Sequence, residues 1–249
     1  IAPAIRVAIG EMFGLEPGEV STGRLVAALK LLGFDQVYDT SFAADLTVLE
    51  ESTEFIERKS KGEKLPLFTS CCPAWVKFAE QFYPDLLGNL SSCRSPQQMF
   101  GSVARKTLPD ELNVSNEDLY LVSIMPCTAK KFEAQRDEFQ TDGHRDVDVV
   151  LTTQELGMMI KEAGIDFSSL TPESLDMPMG FKTGAGVIFG VTGGVSEAVL
   201  RFAAEKLTGK KVAETDYNQV RGNEEIRETE IEIGEVKLKL AVVHGLKNA

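Results

Sequence analysis

The sequence predicts an α/β fold, in which short buried strands alternate with longer helices along the chain. Apolar runs of strand length, such as residues 120–125 and 147–151, are separated by longer amphipathic stretches of helical period. Those stretches begin and end at residues that commonly start or stop helices. With 249 residues, 43% hydrophobic and 26% charged, the chain has ordinary globular composition and the length for one large domain or two packed lobes.

Each predicted helix has a recognisable start or end. Pro3 opens an apolar helical pattern near the N-terminus, and Gly33 follows the second helix as a C-terminal cap. Thr152 and Glu155 have the spacing of a capping box at the start of a helix that is expected to end at Gly164. The other predicted helices span residues 22–32, 41–62, 73–83 and 196–207, and one opens at Ser95-Pro96.

Short apolar runs predict the strands, and one alternating region predicts a hairpin. Residues 228–243 alternate strictly between apolar and polar side chains, with Gly234-Glu235 as the expected two-residue turn. Because the other runs are short and end at turn residues, they are expected to be buried strands. They lie at residues 34–38, 65–68, 120–125 and 147–151.

A glycine-rich stretch, GAGVIFGVTGGV at residues 184–195, precedes the predicted helix at residues 196–207. It differs from a dinucleotide-binding loop, because the third glycine of a GxGxxG pattern would stand one residue earlier than Gly190. We therefore predict that its glycines allow the backbone to pack closely around a bulky group.

The composition argues against several classes of partner. The formal net charge is −12, the sequence pI is near 4.8, and no basic stripe is present. Phosphate binding needs clustered Lys and Arg, so neither nucleic acid nor an anionic membrane is expected as a partner. No apolar run approaches the length of a bilayer span, and no basic segment with a signal core opens the sequence. We expect a soluble, cytoplasmic protein.

The four cysteines are too few for a disulfide framework in a chain of this length, so reduced thiols are expected. Cys71 and Cys72 stand between a predicted strand and a helix that begins at Pro73, where the helix dipole favours a thiolate. Cys127 also follows a predicted strand beside a proline. Two such turns would meet at the carboxyl ends of a sheet. They would form either a shared metal or cluster site or a pair of inert core thiols.

Three further residues have simple interpretations from the sequence alone. Cys93 lies on a predicted loop and is expected to be a small buried hydrophobe. Glu51 and Glu54 are three residues apart on a predicted helix, so they share a face. The ordinary interpretation of an acidic helix face is that it is solvated.

Four stretches in order resemble the catalytic domain of the iron-only, or [FeFe], hydrogenases: TSCCPAW, LSSCRSPQQ, MPCTAKKFE and FGVTGGVSEAVLR. The resemblance covers most of the chain. It implies a two-lobed fold in which each lobe has a small mixed or parallel sheet flanked by helices, with the cofactor between the lobes. It also implies reversible oxidation of H2 at an H-cluster, a [4Fe–4S] cluster linked to a di-iron subcluster with CO, CN and bridging dithiolate ligands.

The resemblance also implies roles for individual residues around that cofactor. Cys72 and Cys127 would be two of the four thiolates that hold the [4Fe–4S] cluster, and Lys130 would donate a hydrogen bond to a cyanide, which suits a compact ammonium group. Ala4 stands where relatives can carry Ser, so no polar contact is expected there. The remaining residues that would line the cofactor pocket are Pro3, Gln97, Met125 and Phe189.

A proton path is implied as well, because a buried cluster excludes the water that would otherwise carry protons. Cys71 would exchange protons with the bridging amine of the di-iron subcluster. The residues that would connect this thiol to the surface are Glu51, Ser91, Glu54 and Arg58.

The resemblance leaves part of the ligand set outside this sequence. The family has a further motif with two more cysteines, and none follows Cys127 here. The catalytic domain at residues 1–249 is therefore expected to be incomplete at both ends and inactive alone. The implied partners are H2 and protons, an electron carrier such as ferredoxin, maturation proteins and a C-terminal segment that brings the missing ligands.

Three alternatives belong to other functional classes. An H2-sensing regulatory paralogue would have little need of a fast proton path, so Cys71 and the carboxylates favour turnover. The related iron–sulfur assembly proteins would not be expected to keep the full set of TSCCP, MPCTAKK and relay residues. A thiol oxidoreductase that uses Cys71 and Cys72 would show no infrared CO and CN bands after maturation.

Overall fold

A computed structural model describes residues 1–177, 179–209, 224–233 and 236–249. The chain forms two compact units. The first unit comprises Ile1–Ala44 and Pro96–Val187, and the second comprises Asp45–Ser95 and Ile188–Ala249. Both contain helices and a small sheet, which confirms the α/β prediction.

Nine α-helices lie within the described ranges, and none of them is long and apolar enough to cross a membrane. They are α1 Ile5–Ala8, α2 Thr22–Leu31, α3 Ser41–Lys61, α4 Pro73–Phe82, α5 Pro96–Leu112, α6 Ala129–Ala134, α7 Thr153–Glu162, α8 Gly184–Ile188 and α9 Gly194–Thr208. Three 3₁₀ helices span Ile9–Phe13, Pro84–Asn89 and Phe167–Ser169. The predicted helices are thus confirmed to within about two residues at each end.

The predicted helix caps have the expected geometry. The Glu155 amide donates to Thr152 Oγ1 at 3.2 Å, while the Glu155 carboxylate accepts from the Thr152 amide at 2.8 Å, so the capping box at the start of α7 is complete. Gly33 and Gly164 have φ values of 97° and 69°, which glycine adopts without the strain that a Cβ would bring.

A parallel pair of strands crosses the first unit. β1 (Val122–Met125) pairs with β4 (Val149–Thr152), with Val122 opposite Val149 and Met125 opposite Thr152. Two short antiparallel strands, β2 (Gln140–Thr141) and β3 (His144–Arg145), lie between them in sequence. Ile124 in β1 is buried in the main apolar cluster of this unit. Other members of that cluster are Ile5, Leu25, Leu29, Val150, Leu156, Ile160 and Phe167.

The second unit contains the predicted hairpin. β5 (Ile226–Ile233) pairs antiparallel with β6 (Val236–Val243), and the predicted turn at Gly234-Glu235 lies outside the described residues. Leu238 of β6 packs with Leu200 and Ala204 of α9 and with Phe55 of α3. This packing joins α3 to α9, so the acidic helix has a buried side.

Two predicted strands are wrong. Of residues 65–68, only Phe68 forms a bridge, to Leu90, because Pro66 has no amide hydrogen to donate to a ladder. Residues 34–38 are extended without a strand partner among the described residues. Instead, the Val37 amide donates to the side chain of Asp176 at 2.6 Å. In both cases hydrogen bonds to residues that are distant in sequence hold the segment in place without a ladder. Phe68 exchanges such bonds with Asn89 and Ser91, and Val37 exchanges them with Asp176.

The glycine-rich stretch makes a close backbone turn at one position, while packing around a bulky group stays a prediction. Gly193 has a φ of 79° and precedes α9 as its N-cap, and a Cβ on Gly194 would collide with the carbonyl oxygen of Ile188. Glycine is therefore required for the close turn between α8 and α9.

Candidate functional site

The turn that contains Cys71 and Cys72 begins helix α4 in the second unit. Cys72 is the N-cap residue, with extended backbone angles, and Pro73 is the first helical residue, as predicted. The Cys72 side chain is exposed and makes no capping hydrogen bond, whereas Cys71 is half-buried. Sulfur is a soft ligand, and the exposed side chain of Cys72 is accessible to a metal. The buried strand expected before this turn is absent.

Cys93 lies on a loop, and its backbone carbonyl and amide form hydrogen bonds with two serine side chains. The Ser70 hydroxyl donates to the Cys93 carbonyl at 2.8 Å, and the Cys93 amide donates to Ser91 Oγ at 3.1 Å. Burial, together with nearby Glu51 and other acidic groups, raises the pKa of the Cys93 thiol to about 12. Cys93 is thus a neutral thiol, but it is half-buried and not fully buried as expected, and its backbone amide helps to position Ser91.

Ser91 and Glu54 form the clearest hydrogen-bonded pair of the predicted relay. The Ser91 hydroxyl donates to Glu54 Oε2 at 2.8 Å, and the Ser92 amide donates to the same oxygen at 3.0 Å. Arg58 donates to Glu54 Oε1 at 2.6 Å. Partial burial alone would raise the pKa of Glu54, but these donors outweigh it and hold the pKa below the usual value of 4.5. Glu54 is therefore an anchored carboxylate.

Arg58 connects Glu54 to the backbone of the neighbouring loops. Its guanidinium donates to the Leu90 carbonyl at 2.8 Å and to the carbonyls of Lys64, Gly88 and Asn89 at 3.2 Å each. The three carbonyls at 3.2 Å all face Nη1, which has two N–H groups and so shares at least one of them between acceptors, while Nη2 donates to Glu54 and to the Leu90 carbonyl. Arg58 thus fixes the outer end of the predicted relay.

Glu51 lies one helical turn before Glu54 but in a different environment. Its side chain is buried, with 2% exposure, and within the described residues its Oε2 atom has no hydrogen-bond partner. Burial is the largest cause that raises its pKa from 4.5 to about 7, the Ser91 hydroxyl lowers it in part, and the charge of Glu54 raises it further. Glu51 can therefore take up and release a proton near neutral pH, and the solvated-face interpretation is wrong for it.

Cys127 follows the parallel strand β1 in the first unit. Met125, the last residue of β1, is 5% exposed, and Cys127 is half-buried at the start of a turn into α6. The Lys130 amide donates to the Cys127 carbonyl at 3.2 Å, which places the lysine one turn beyond the thiol. The predicted sequence of strand, proline and thiol is confirmed at this turn.

Lys130 belongs to a buried polar network. Its ammonium group donates to both carboxylate oxygens of Glu133, at 3.0 and 2.9 Å. Gln97 donates to Glu133 Oε2 at 3.1 Å and accepts a hydrogen bond from the Ser123 hydroxyl at 2.9 Å. The predicted cofactor residues Gln97 and Lys130 are therefore connected through Glu133.

The other predicted pocket residues lie in both units. Pro3 and Ala4 are half-buried beside α1 in the first unit, and Phe189 is half-buried in the turn after α8 in the second unit. Each unit therefore contains a cysteine with its own set of predicted neighbours. The first has Cys127, Lys130, Gln97, Met125 and Pro3, and the second has Cys71, Cys72, Glu51, Glu54, Arg58, Ser91 and Phe189.

Sequence reasoning missed four contributors. Glu133 could have been found, because a position three residues after Lys130 on a helix is the spacing of an ion pair. Ser123 could not be assigned, because its partner Gln97 is distant in sequence. The Ser70 hydroxyl and the Ser92 amide act through contacts to residues that are distant in sequence, which leave no sequence pattern.

The donor chemistry fits part of an iron–sulfur cofactor. All four cysteines are free of disulfides, and Cys72 is exposed and Cys127 half-buried, with sulfur the ligand type that iron–sulfur clusters use. Within the described residues, no group of three or more His, Cys, Asp or Glu side chains could hold a metal ion. Ligation of a [4Fe–4S] cluster by Cys72 and Cys127 stays a prediction, and the two thiols belong to different units.

Comparison with known proteins assigns the class. Residues 1–249 match the family described as iron only hydrogenase large subunit, C-terminal domain. The fold matches an apo [FeFe]-hydrogenase from Chlamydomonas reinhardtii with a TM-score of 0.86 at 41% identity, over 99% of this chain and 70% of that chain. The chain therefore belongs to the iron-only hydrogenase large-subunit family.

The individual relatives include hydrogenases and an iron–sulfur assembly protein. The chain is 50% identical to the periplasmic [Fe] hydrogenase large subunit of Nitratidesulfovibrio vulgaris, over 99% of this chain and 59% of that protein. It is 49% identical to a subunit of the NADP-reducing hydrogenase of Solidesulfovibrio fructosivorans, over 100% of this chain and 43% of that protein. The cytosolic iron–sulfur assembly component 3 of Mus musculus is 34% identical, over 100% of this chain and 54% of that protein. The chain thus spans about half the length of these curated relatives.

Proposed function

We propose that this chain forms the catalytic domain of an [FeFe]-hydrogenase, which interconverts H2 with protons and electrons. The observation that carries the proposal is the acidic array of the second unit. It combines a buried carboxyl group that titrates near neutral pH, Glu51, with the Ser91, Glu54 and Arg58 contacts. An iron–sulfur assembly protein would have no need of such an array. The higher identity to hydrogenases, 49% and 50%, than to the assembly relative, 34%, supports the same choice.

Two thiolates and one ammonium group would hold the cofactor. Cys72 and Cys127 would ligate the [4Fe–4S] part of the H-cluster, and Lys130 would donate to a cyanide ligand. Pro3, Gln97, Met125 and Phe189 would line the pocket and exclude water. When bound, the H-cluster would supply the open iron position for H2 chemistry and the path for electrons.

The proton path would run from Cys71 through the acidic array. The Cys71 thiol would exchange a proton at the buried end, and Glu51 would accept it at a carboxyl group whose pKa is about 7. Ser91 would pass the proton on at its hydroxyl, which is already bonded to Glu54 at 2.8 Å. Arg58 would keep Glu54 in place at the outer end.

The partners and setting follow from this function. H2, protons, an electron carrier such as ferredoxin and maturation proteins would act with the domain, and two further cysteine ligands would come from the rest of the polypeptide. A cytoplasmic location stays a prediction, and one relative is named as periplasmic.

The test is to express the complete polypeptide with maturation proteins and to measure H2 evolution with a chemical reductant. Infrared CO and CN bands together with robust turnover are expected. Turnover that is negligible despite those bands would favour an H2 sensor. A protein that binds iron–sulfur clusters without the bands and without turnover would favour an assembly role.

A further inference from the structure

The ion pair between Lys130 and Glu133 is unusual because both charges are buried. The side chains are only 13% and 4% exposed. Removing two charges from water is costly, and such a pair persists only when its geometry and its other hydrogen bonds are good. The two contacts at 3.0 and 2.9 Å and the additional donation from Gln97 at 3.1 Å meet this requirement.

Glu133 is itself held from several elements of the first unit. It projects from α6, while Gln97 reaches it from α5, and Ser123 on β1 orients Gln97 by donating to its side-chain oxygen. The Gln97 amide group also donates to the Lys130 carbonyl at 3.2 Å. The carboxylate therefore has a fixed position, set by packed elements and not by the flexible chain of the lysine.

A second lysine on the same helix provides an internal comparison. Lys131 pairs with Glu155 at 2.9 Å, but both side chains are 40% exposed. A half-exposed pair of this kind contributes little to stability and does not restrict a lysine strongly. Lys130 and Lys131 thus each pair with a glutamate, but only the Lys130 pair is buried.

We propose that Glu133 is a positioning residue that fixes the ammonium group of Lys130 toward the cofactor, an inference that rests on the proposed function. A lysine ammonium sits at the end of a four-carbon stem with many rotamers, so a single donated hydrogen bond to a ligand would not hold it. The buried carboxylate restricts the ammonium to one position before any ligand binds. Partners of this kind commonly affect cofactor affinity or activity by about 10–100-fold.

The first experiment examines the complete protein without its cofactor. In ¹⁵N-lysine-labelled apoprotein, the Lys130 ammonium, assigned with Lys130→Arg, is expected to give a slowly exchanging NMR signal. Glu133→Gln is expected to lose that signal, because the amide keeps the volume but not the charge. Glu155→Gln is the matched control. It removes the charged partner of Lys131, while its amide oxygen can still accept the capping hydrogen bond from the Thr152 amide. This variant should leave the Lys130 signal unchanged.

Glu133→Asp covers the case in which Glu133→Gln fails to fold, which circular dichroism would reveal. The aspartate keeps the charge but withdraws the carboxylate by one methylene, so the Lys130 signal should shift and exchange faster. An unchanged Lys130 signal in whichever of these variants folds would overturn the proposal.

The second experiment examines the matured enzyme. Glu133→Gln should shift the infrared CN bands and lower H2 evolution by about 10–100-fold, while Glu155→Gln should change neither. CN bands at the wild-type positions in Glu133→Gln would count against the positioning role. Wild-type protein that shows no CN bands would count against the proposed function alone, because the apoprotein experiment decides the role of Glu133 independently.

Discussion

The turns at Cys72 and Cys127 look alike in sequence, since each places a cysteine beside a proline, but the acidic residues of the two units differ. In the first unit, Glu133 accepts hydrogen bonds from an ammonium group and an amide and is 3% exposed. In the second unit, Glu51 is equally buried, yet its Oε2 atom has no partner among the described residues and its pKa is about 7. Burial alone therefore does not determine the chemistry of a carboxyl group.

The difference fits the separate tasks proposed for the two regions. In the first unit the buried Glu133 carboxylate accepts hydrogen bonds from an ammonium group, which suits the proposed holding of a ligand. A buried carboxyl group without a cation beside it changes protonation near neutral pH, so the second unit suits proton movement. The predictions below test this division.

The largest expected effect is the loss of iron from either thiol turn. In the complete protein, Cys72→Ala and Cys127→Ala should each abolish binding of the [4Fe–4S] cluster, because a cluster of this type needs its thiolate ligands. Cys93→Ala is the control and should leave the iron content intact, since Cys93 is a neutral thiol with a pKa of about 12. Iron analysis after anaerobic reconstitution measures this. Equal iron loss in all three variants would contradict the ligand assignment.

The next effect separates Cys71 from its neighbour Cys72. Cys71→Ala should keep the infrared and EPR signatures of the cofactor but lower turnover by roughly 10²–10⁴-fold, because a methyl group cannot exchange a proton. Cys71→Asp should recover part of the rate, since a buried carboxyl group can have a raised pKa. H2 evolution with a chemical reductant, alongside iron content, provides the measurement. Wild-type activity in Cys71→Ala, or loss of its iron, would show that the relay begins elsewhere.

Glu51 should make stability depend on pH in a defined window. Its carboxyl group titrates at 4.5 when unfolded and near 7 when folded, so the native state holds the extra proton between these values. The free energy of unfolding should therefore fall as pH rises from 4.5 to 7, by on the order of 3 kcal/mol at most. Urea unfolding of the apoprotein at pH 5 and pH 8 measures the fall.

Glu51→Gln should remove this dependence, because an amide does not titrate. Glu50→Gln, on the adjacent exposed residue, should preserve it. If the free energy of unfolding of Glu51→Gln fell between pH 5 and pH 8 as much as that of the wild type, another group would be the cause.

The smallest effect concerns the anchored carboxylate Glu54. Glu54→Gln should lower the free energy of unfolding by about 1–3 kcal/mol, because the Ser91 and Arg58 donors lose a charged acceptor. It should also slow turnover without loss of iron, since an amide interrupts the relay. Glu57→Gln, on an exposed residue of the same helix, should change stability by less than about 0.5 kcal/mol. Undiminished turnover in Glu54→Gln would exclude Glu54 from the proton path.

Local signals in the sequence predicted the helices and their caps. The Thr152 and Glu155 capping box was predictable because both partners lie within one turn. The false strand at residues 65–68 shows the limit, since an apolar run does not reveal whether a distant partner can complete a ladder.

The sequence supplied the candidate site residues, whose roles stay predictions, but it did not reveal the electrostatics around them. Helical spacing places Glu51 and Glu54 on a common face. Glu51 is 2% exposed, and its Oε2 atom has no hydrogen-bond partner in the part of the chain that the structure describes, while Glu54 is bonded to Ser91 and Arg58. The difference arises from Ser91, Ser92 and the Leu90 loop, which approach from about forty positions further along the chain. Such nonlocal contacts leave no periodic signal in a single sequence.

The contacts of Arg58 have a consequence for how this part of the protein opens. Its guanidinium joins the last turns of α3 to the carbonyls of Gly88, Asn89 and Leu90 and to that of Lys64. The end of α3 cannot move away from residues 88–90 unless these hydrogen bonds break together. In native-state hydrogen exchange, the end of α3 and residues 88–91 should therefore behave as one cooperative unit with a shared opening free energy. The surface end of the proposed relay would then open as a block and not by fraying residue by residue.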